Sequence, residues 1–342
     1  MSNFANELGI PPRDGALRVG SACLSGRAFL APMSGVTDLG MRRLALRFGA
    51  SLVVSEMVAA DLYAMGDAGN RLKAAGAGID LHVVQIAGCD PYSMAEAARL
   101  AENSGAAMID INMGCPSKKV INGYAGSHLM RDLGLAAALI RATVKAVRVP
   151  VTLKMRLGWD EDAINAPELA QLAEAEGVAM LTVHGRTRRQ LYAGRADWTA
   201  IGVVKRAVSI PVVANGDCSS LADAASMLKQ SGADAVMIGR SAIGRPWFVG
   251  DVAHYLAHGK PRAAPSRAAR KIAALEHYET LLEIFGRAQG LRHARKHLAA
   301  YAQWSGCDDG SLRRRLVTSE CPIAVKWILS EAFDRLPLAE AA

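Results

Sequence analysis

The sequence is poor in aromatic residues, which make up only 5% of its 342 residues, whereas Ala, Val, Ile and Leu are abundant. Chains of this composition usually build helices around buried parallel strands. No apolar run approaches the roughly 18 residues that are needed to cross a bilayer. The amino-terminal stretch also lacks a basic segment followed by an apolar core, so it does not resemble a signal peptide. We therefore expect a cytoplasmic protein that does not bind membranes.

Cysteine pairs and glycine-rich dinucleotide motifs are missing as well. The six cysteines form no CxxC pair and no spacing typical of metal ligands, so we expect reduced thiols and no bound metal. No GxGxxG follows an apolar strand, which argues against a Rossmann unit and an ADP-containing cofactor such as FAD. Hydrophobic residues at 51% and charged residues at 21% exclude wholesale disorder.

What the sequence does contain is a regular alternation of short β-branched runs and Ala/Leu-rich stretches with helical spacing. The predicted strands cover residues 28–32, 51–56, 82–87, 107–112, 151–156, 181–185, 211–216 and 234–239. Eight β-α units in series predict an α/β fold of the (β/α)8 TIM-barrel type, which we assign to residues 1–250. A doubly wound sheet is the alternative, but such a sheet seldom has eight evenly spaced parallel strands.

The pattern changes after Trp247. Residues 254–267 contain two prolines and a glycine and are typical of a linker, and two amphipathic helices follow without a strand between them. We predict a small C-terminal α-helical domain over residues 265–335. Half of the net charge of +8 falls after Gly250, which suggests a polyanionic partner.

One basic helix face stands out in this helical part. Arg292, Arg295 and Lys296 are spaced at i, i+3 and i+4, so they share a face, and we expect His293 and His297 beside it. Such a face could contact the phosphates of a nucleic acid. A solvated surface stabilised by salt bridges is the alternative, and the spacing alone favours that alternative.

Chemistry in a barrel of this kind is located at the carboxyl ends of the strands. There the sequence places a set of polar or flexible residues: Met33, Glu56, Gln85, Asn112, Lys154, Arg156, His184, Asn215, Gly239 and Arg240. Any one of them could simply cap a helix or bond the rim. Six or more together are typical of an active site.

The ends of strands seven and eight indicate a phosphate site. They carry Asn215-Gly216-Asp217 and Gly239-Arg240, and the loops after these two strands commonly bind phosphate in such barrels. Glycines let backbone N–H groups approach the anion, and Arg240 adds a positive charge. A pair of ordinary tight turns is the alternative.

Lys154 and Gln85 suit a flavin. A lysine buried in the mouth of a barrel needs an anionic partner, and the N1–O2 edge of a reduced flavin is one. An amide such as Gln85 can donate to and accept from the pyrimidine edge of the isoalloxazine ring. Without a dinucleotide motif, FMN is favoured over FAD. A Schiff-base lysine of an aldolase remains the competing interpretation of Lys154.

The loop after strand four, residues 110–130, contains Cys115 in a Gly-Cys-Pro turn. A thiol with a pKa near 8.5 is mostly protonated at neutral pH and can act as a general acid. If Lys118 or Lys119 lowered its pKa, Cys115 could act as a nucleophile instead. Most single cysteines are inert packing residues, but this setting makes a functional role the better hypothesis.

Together, these segments resemble the tRNA-dihydrouridine synthases, most closely the bacterial B-type branch. The motifs in register are APMSGVTD (31–38), VQIAG (84–88), DINMGCPSKKV (110–120), VTLKMRLGW (151–159), LTVHGRTR (181–188), ANGD (214–217), MIGRSAIGRPW (237–247) and ARKH (294–297). The resemblance implies an FMN-dependent barrel that reduces the C5–C6 bond of uridines in tRNA with NADPH. It also implies a monomer whose helical domain binds the tRNA.

The resemblance also assigns roles to individual residues. The flavin would be held by Pro32, Met33, Ser34, Gln85, Lys154 and His184, and its phosphate by Asn215, Gly216, Asp217, Gly239 and Arg240. Cys115 would be the catalytic acid that protonates C5. Asn112 and Arg156 would contact the uracil, and Arg292, Arg295 and Lys296 the tRNA backbone.

Two other functions are compatible with the residue patterns. The first is an FMN oxidoreductase of a free pyrimidine, similar to dihydroorotate dehydrogenase, against which the basic helical part argues. The second is an RNA-binding protein without activity, against which the intact Gln85, Lys154 and Cys115 argue.

Overall fold

A computed structural model describes residues 16–306 and 309–335. Its main sheet consists of nine parallel strands in the order β4-β3-β11-β10-β9-β8-β7-β6-β5. The strands are β3 (Ala28–Leu30), β4 (Leu52–Val53), β5 (Val58–Ala59), β6 (Val83–Ala87), β7 (Met108–Met113), β8 (Val151–Arg156), β9 (Met180–His184), β10 (Val212–Asn215) and β11 (Ala235–Ile238). All eight predicted strands are present, and no strand end is shifted by more than three residues.

The second predicted strand is divided into β4 and β5, and this division closes the ring. β4 pairs with β3, whereas β5 pairs with β6. Between them, Val54 forms a parallel bridge with Val83, and β3 pairs with β11 at the other edge. The first and last strands of the series are therefore neighbours, so the TIM barrel is confirmed and the doubly wound sheet is wrong.

Helices surround the barrel in the expected alternation. They are α1 (Leu39–Arg47), α2 (Ala60–Ala64), α3 (Ala68–Ala74), α4 (Pro91–Asn103), α5 (Lys118–Ile121), α6 (Leu133–Ala146), α7 (Ala166–Ala175), α8 (Trp198–Ala207), α9 (Leu221–Ser231) and α10 (Trp247–His258). Local chemistry sets their ends: Ser220 forms a capping box with Asp223, and left-handed Gly232 ends the same helix.

A short amino-terminal hairpin, which the sequence patterns did not predict, closes the lower end of the barrel. It consists of β1 (Leu17–Val19) and β2 (Ala22–Leu24), paired antiparallel around Gly20. Leu17, Val19 and Leu24 are fully buried against apolar residues at the amino ends of the strands, such as Met108 and Met180. The other end of the barrel, where the polar residues lie, is thereby the end that is left for ligands.

The helical part consists of α11 (Arg267–Trp304), α12 (Gly310–Thr318) and α13 (Pro322–Asp334). Gly286 divides α11 with φ of 70° and ψ of 170°, and the two arms fold back on each other, since Gly290 packs against Leu281. These arms are the two predicted helices. The arms, α12 and α13 share an apolar core of their own. Among the described residues, no helix is both long and apolar enough to span a membrane.

The predicted linker began too early. Residues 254–258 continue α10, which ends at left-handed Gly259, whose N–H bonds the carbonyl of Tyr255. Pro261 then prevents further helix. The irregular connection is therefore limited to residues 259–266.

A buried polar cluster joins the barrel to the helical part. Asp38, the N-cap of α1, accepts hydrogen bonds from the backbone of Met41 and from Nε2 of His277, the latter at 3.1 and 3.2 Å. The other ring nitrogen of His277 bonds the Tyr301 hydroxyl at 2.9 Å. His297, which lies beside the basic face, is 2% exposed, with Nε2 3.4 Å from Asp38 Oδ2. Helical spacing alone does not reveal that the barrel covers this side of the helix.

Candidate active site

A buried carboxylate that the sequence patterns did not single out lies beneath the mouth of the barrel. Asp110 in β7 accepts hydrogen bonds from Thr152 Oγ1 at 2.6 Å and from Gln85 Nε2 at 2.7 Å. Gln85 Oε1 in turn accepts from Asn112 Nδ2 at 2.8 Å. Burial raises the pKa of Asp110. This chain of hydrogen bonds fixes the orientation of both predicted amides, Gln85 and Asn112.

Asn112 also fixes the loop that carries Cys115. Its Oδ1 accepts the backbone N–H groups of Gly114 at 3.2 Å and Cys115 at 2.9 Å. The Cys115 carbonyl accepts from Ser127, from its backbone N–H at 3.0 Å and its hydroxyl at 2.9 Å. The backbone is therefore held on both sides of the thiol, and the side chain has a defined origin.

The environment of Cys115 favours the protonated thiol. Burial raises its pKa, although the Ser117 backbone and the charges of Arg156 and Lys154 oppose this rise. A thiol with a raised pKa is protonated at neutral pH and can donate a proton. The general-acid hypothesis is thus favoured over a thiolate nucleophile activated by Lys118 or Lys119.

Lys154 in β8 is a half-buried ammonium group hydrogen-bonded to a neutral amide. Its Nζ donates to Asn215 Oδ1 at 3.0 Å, and Asn215 Nδ2 donates to the carbonyl of Met237 at 2.8 Å. Burial and the neighbouring Arg156 lower the pKa of Lys154 to about 8. A cation in this setting is complementary to an anionic group in the mouth.

Arg156 joins two loops of the rim, the one after β7 and the one after β9. Its Nε donates to the Gly114 carbonyl at 2.8 Å, and Nη1 donates to the carbonyls of Thr187 and Leu191, each at 2.9 Å. Nη2 has no hydrogen-bond partner among the described residues. Burial lowers the pKa of Arg156 to about 10, so the guanidinium stays charged and retains one free amino group.

The turns after β10 and β11, where the sequence predicts a phosphate site, have an unusual backbone. Gly216 and Asp217 both have positive φ, 123° and 57°, and a Cβ on Gly216 would lie 2.6 Å from Ala196 Cβ. A Cβ on Gly239 would meet no protein atom closer than Met33 Sδ at 3.6 Å. Gly239 therefore lies in ordinary packing contact with the loop after β3, and its role beside an anion stays a prediction.

Arg186 is a central residue of this corner that the sequence patterns did not assign. It is 1% exposed and donates to both carboxylate oxygens of Asp217, at 2.9 and 2.6 Å. Although burial opposes it, this pairing lowers the pKa of Asp217. The carboxylate of Asp217 therefore positions Arg186, and more loosely Arg240 at 3.5 Å. The only available hint was that Arg186 lies two residues after His184 in LTVHGRTR.

His184 completes the same corner as a neutral ring. It is 9% exposed, and its Nε2 lies 3.3 Å from Arg186 Nη1. Burial and then the charges of Lys154 and Arg156 hold its pKa well below the usual range. His184 can therefore accept a hydrogen bond but does not add charge to the site at neutral pH.

The loop with Pro32, Met33 and Ser34 lies between the mouth and the helical part. Pro32 and Met33 are half-buried and Ser34 is exposed. The Met33 N–H donates to Thr37 Oγ1 at 2.9 Å, and the next residue but one, Gly35, donates its N–H to the buried carboxylate of Glu56. Burial raises the pKa of that carboxyl group.

The basic face of α11 adjoins this loop. Arg292, Arg295 and Lys296 are all exposed, and a Cβ on Gly35 would lie 2.7 Å from Lys296 Nζ. Lys296 is therefore the member of the three that reaches the rim of the barrel. Its neighbours Arg292 and Arg295 are exposed on the same helix.

The fold and this mouth define a β/α barrel whose carboxyl end combines basic side chains with a half-buried thiol. The family model described as dihydrouridine synthase matches residues 29–330. The chain is 49% identical to a relative from Rickettsia bellii (91% of this chain, 95% of the relative) and 51% identical to one from Rhizobium leguminosarum (90% and 95%), both named as tRNA-dihydrouridine synthases. This chain belongs to the dihydrouridine synthase family.

Two further comparisons agree with this assignment. A relative from Xanthomonas axonopodis, named tRNA-dihydrouridine synthase B, is 50% identical over 68% of this chain and 70% of its own length. Among solved structures, morphinone reductase superposes with a TM-score of 0.52 at 15% identity, covering 75% of this chain and 91% of that one. The latter similarity supports the barrel fold.

Proposed function

We propose that this chain is a tRNA-dihydrouridine synthase, an FMN-dependent enzyme that uses NADPH to reduce the C5–C6 bond of specific uridines in tRNA. Family membership supports the reaction class. The observation that carries the proposal is the half-buried Cys115, whose surroundings favour the protonated thiol, held on a braced loop at the mouth that also contains Lys154 and Arg156.

The residues of the mouth fit FMN. Lys154, an ammonium without a carboxylate hydrogen-bond partner among the described residues, would hold the ring system at its anionic edge, beside Gln85 and His184. Pro32, Met33 and Ser34 would line the ring. The phosphate would be held by Asn215, Gly216, Asp217, Gly239 and Arg240. The Asp217 carboxylate accepts both hydrogen bonds from Arg186, so Asp217 would bind the phosphate through its backbone N–H. Arg186 would add positive charge.

The protein groups around the substrate then have distinct tasks. When bound, the flavin supplies hydride to C6 of the uracil. Cys115 holds the proton that C5 must receive, and burial keeps that proton on sulfur until transfer. Arg156, through its free Nη2, and Asn112, through its second Nδ2 hydrogen, would bind and orient the uracil carbonyls. The target base must leave its stack to enter the mouth.

The helical domain, residues 265–335, would bind the tRNA beside the catalytic barrel of residues 1–250. Arg292, Arg295 and Lys296 are exposed on one face and would contact backbone phosphates. We propose that the enzyme acts as a monomer in the cytoplasm, where tRNA is its partner.

The decisive experiment combines two measurements on the purified protein. We expect it to be yellow, with FMN released on denaturation, and to form dihydrouridine in unmodified tRNA when NADPH is present. Free uridine and dihydroorotate serve as matched substrates and should not turn over. A colourless protein, or turnover of dihydroorotate but not of tRNA, would overturn the proposal.

A further inference from the structure

A second pocket opens on the outer side of the loop that carries Cys115. Its volume is about 390 Å³. The walls come from that loop and from the segments after β8 and β9, namely Ile121, Asn122, Tyr124, His128, Arg131, Trp159 and Arg188. None of these residues has a task in the uridine site described above.

The pocket combines aromatic rings with unpaired positive charge. The His128 ring lies edge-on to Tyr124 and to Trp159, with centroids 5.1 and 5.8 Å apart. The guanidinium groups of Arg131 and Arg188 lie 5.0 and 4.8 Å from the centre of the Trp159 ring. In the part of the chain that the structure describes, no carboxylate pairs with either of them. Nε of Arg188 is enclosed and has no hydrogen-bond partner there.

Tyr124 lines this pocket and has a strained backbone conformation. It has φ of 56°, in the left-handed region that residues other than glycine rarely adopt, and it is 63% exposed. A strained backbone that displays an aromatic ring to solvent is a feature that proteins usually retain for a function. A planar ring could stack on Tyr124 while an anion meets the two arginines.

The position of the pocket separates it from the tRNA-binding helices. Around the ring, β8 is the fifth strand and β3 the first, so they face each other across the mouth. The loop after β3 adjoins Lys296 of the helical part. The pocket beyond β8 is therefore on the far rim, and it borders the mouth through the Cys115 loop.

We propose that this pocket binds a phosphorylated nucleoside, namely the adenosine 2′-phosphate end of NADPH. This inference rests on the proposed function, in which a nicotinamide must reach the mouth. Arg131 and Arg188 would share the phosphate monoester, and the adenine would stack on Tyr124. A backbone phosphate of the tRNA has similar chemistry, and the experiment distinguishes the two sources.

The test uses the FMN-loaded protein and the variants Arg131→Gln, Arg188→Gln and the double variant. Arg189→Gln is the matched control, because Arg189 is an exposed neighbour that faces Asp160 at 3.5 Å. Flavin reduction is followed by absorbance without tRNA, with NADPH and with NADH. We expect the KM for NADPH to rise about tenfold or more in each single variant, as for the loss of one charged hydrogen bond, and the KM for NADH to stay unchanged.

Binding of adenosine 2′,5′-bisphosphate, measured by calorimetry, provides a result that does not depend on turnover. The wild-type protein and the Arg189→Gln variant should bind it, and the double variant should not. The proposal is overturned if the wild-type protein does not bind this probe, if NADPH and NADH are affected equally, or if only tRNA affinity falls. If instead the proposed function is wrong, the wild-type protein would bind adenosine 2′,5′-bisphosphate normally but would form no dihydrouridine in tRNA.

Discussion

The mouth of the barrel and its junction with the helical part both contain buried ionisable groups, but their bonding differs. At the junction, Asp38, His277 and Tyr301 satisfy one another, and all three are less than 5% exposed. In the mouth, among the described residues, Lys154 is hydrogen-bonded only to a neutral amide, and Nη2 of Arg156 has no hydrogen-bond partner. A protein can leave buried charge incompletely paired when a ligand completes the pairing. The ring nitrogens of His297 at the junction also form no hydrogen bond there, but burial lowers its pKa to about 4, so it adds no incompletely paired charge at neutral pH.

The largest expected effect of any single change is in the mouth. We expect Cys115→Ala to lower the rate of dihydrouridine formation about 10²- to 10⁴-fold, since that is the usual contribution of a general acid. Flavin content should be unchanged, because the thiol is not among the proposed flavin ligands. Single-turnover rates on tRNA, with absorbance spectra, measure both quantities.

The control for this prediction is Cys89→Ala, which changes an exposed cysteine after β6. It should retain the wild-type rate. Full activity of the Cys115→Ala variant would remove the thiol from its role, and loss of flavin from that variant would indicate a structural role instead.

The second prediction concerns the junction. Asp38→Ala should lower the free energy of unfolding by about 3–5 kcal/mol, because it breaks a buried pair and removes the N-cap of α1. Urea unfolding followed by circular dichroism measures this loss. Asp132→Ala, which removes only the exposed N-cap of α6, should cost about 1 kcal/mol. Equal losses in the two variants would show that the Asp38 pair contributes no stability.

The third prediction is a pH dependence that originates in His297. Burial lowers its pKa from 6.5 in the unfolded chain to about 4 in the folded one. Between pH 4 and pH 6.5, the ring is therefore protonated in the unfolded chain and neutral in the folded protein. Stability from this group is complete above pH 6.5 and declines as pH falls to 4, by up to about 3 kcal/mol. His297→Met should flatten the decline in that range. His258→Gln, at an exposed position, should leave it unchanged, and an unaltered slope in His297→Met would refute the assignment.

The smallest expected effect is on tRNA affinity. Replacing Arg292, Arg295 and Lys296 together with Gln should weaken binding about tenfold at moderate salt and reduce the salt dependence by about one unit per lost phosphate contact. Filter binding over a series of salt concentrations measures both. The matched control replaces three exposed barrel residues of equal charge, Lys145, Arg148 and Lys229. Equal losses in both triple variants would mean that net charge alone attracts the tRNA.

Local patterns in the sequence predict the barrel well because each strand and helix is specified by its own residues. The three-residue strands of the amino-terminal hairpin are too short to give a periodic pattern, and they were missed. The break between β4 and β5 was also missed. It is visible only from strand pairing, because β4 pairs with β3 and β5 pairs with β6.

The site shows the same limit more clearly. The predicted residues of the mouth come from separate strands, yet their place at strand ends was enough to bring them together. Arg186 was missed because its partner Asp217 is 31 residues away. The burial of His297 was not predicted because it depends on Asp38, which belongs to the barrel. Relations between distant residues are the part that a single sequence conceals.

The amino-terminal hairpin has a consequence for the order of events during turnover. Leu17, Val19 and Leu24 seal one end of the barrel, so everything that meets the proposed flavin must come and go through the opposite opening. Nicotinamide and uracil would share this opening and would have to visit the flavin in succession. Double-reciprocal plots of initial rate against NADPH concentration, at several fixed tRNA concentrations, should then give parallel lines. Parallel lines indicate ping-pong kinetics, in which the oxidised nicotinamide leaves before the tRNA binds.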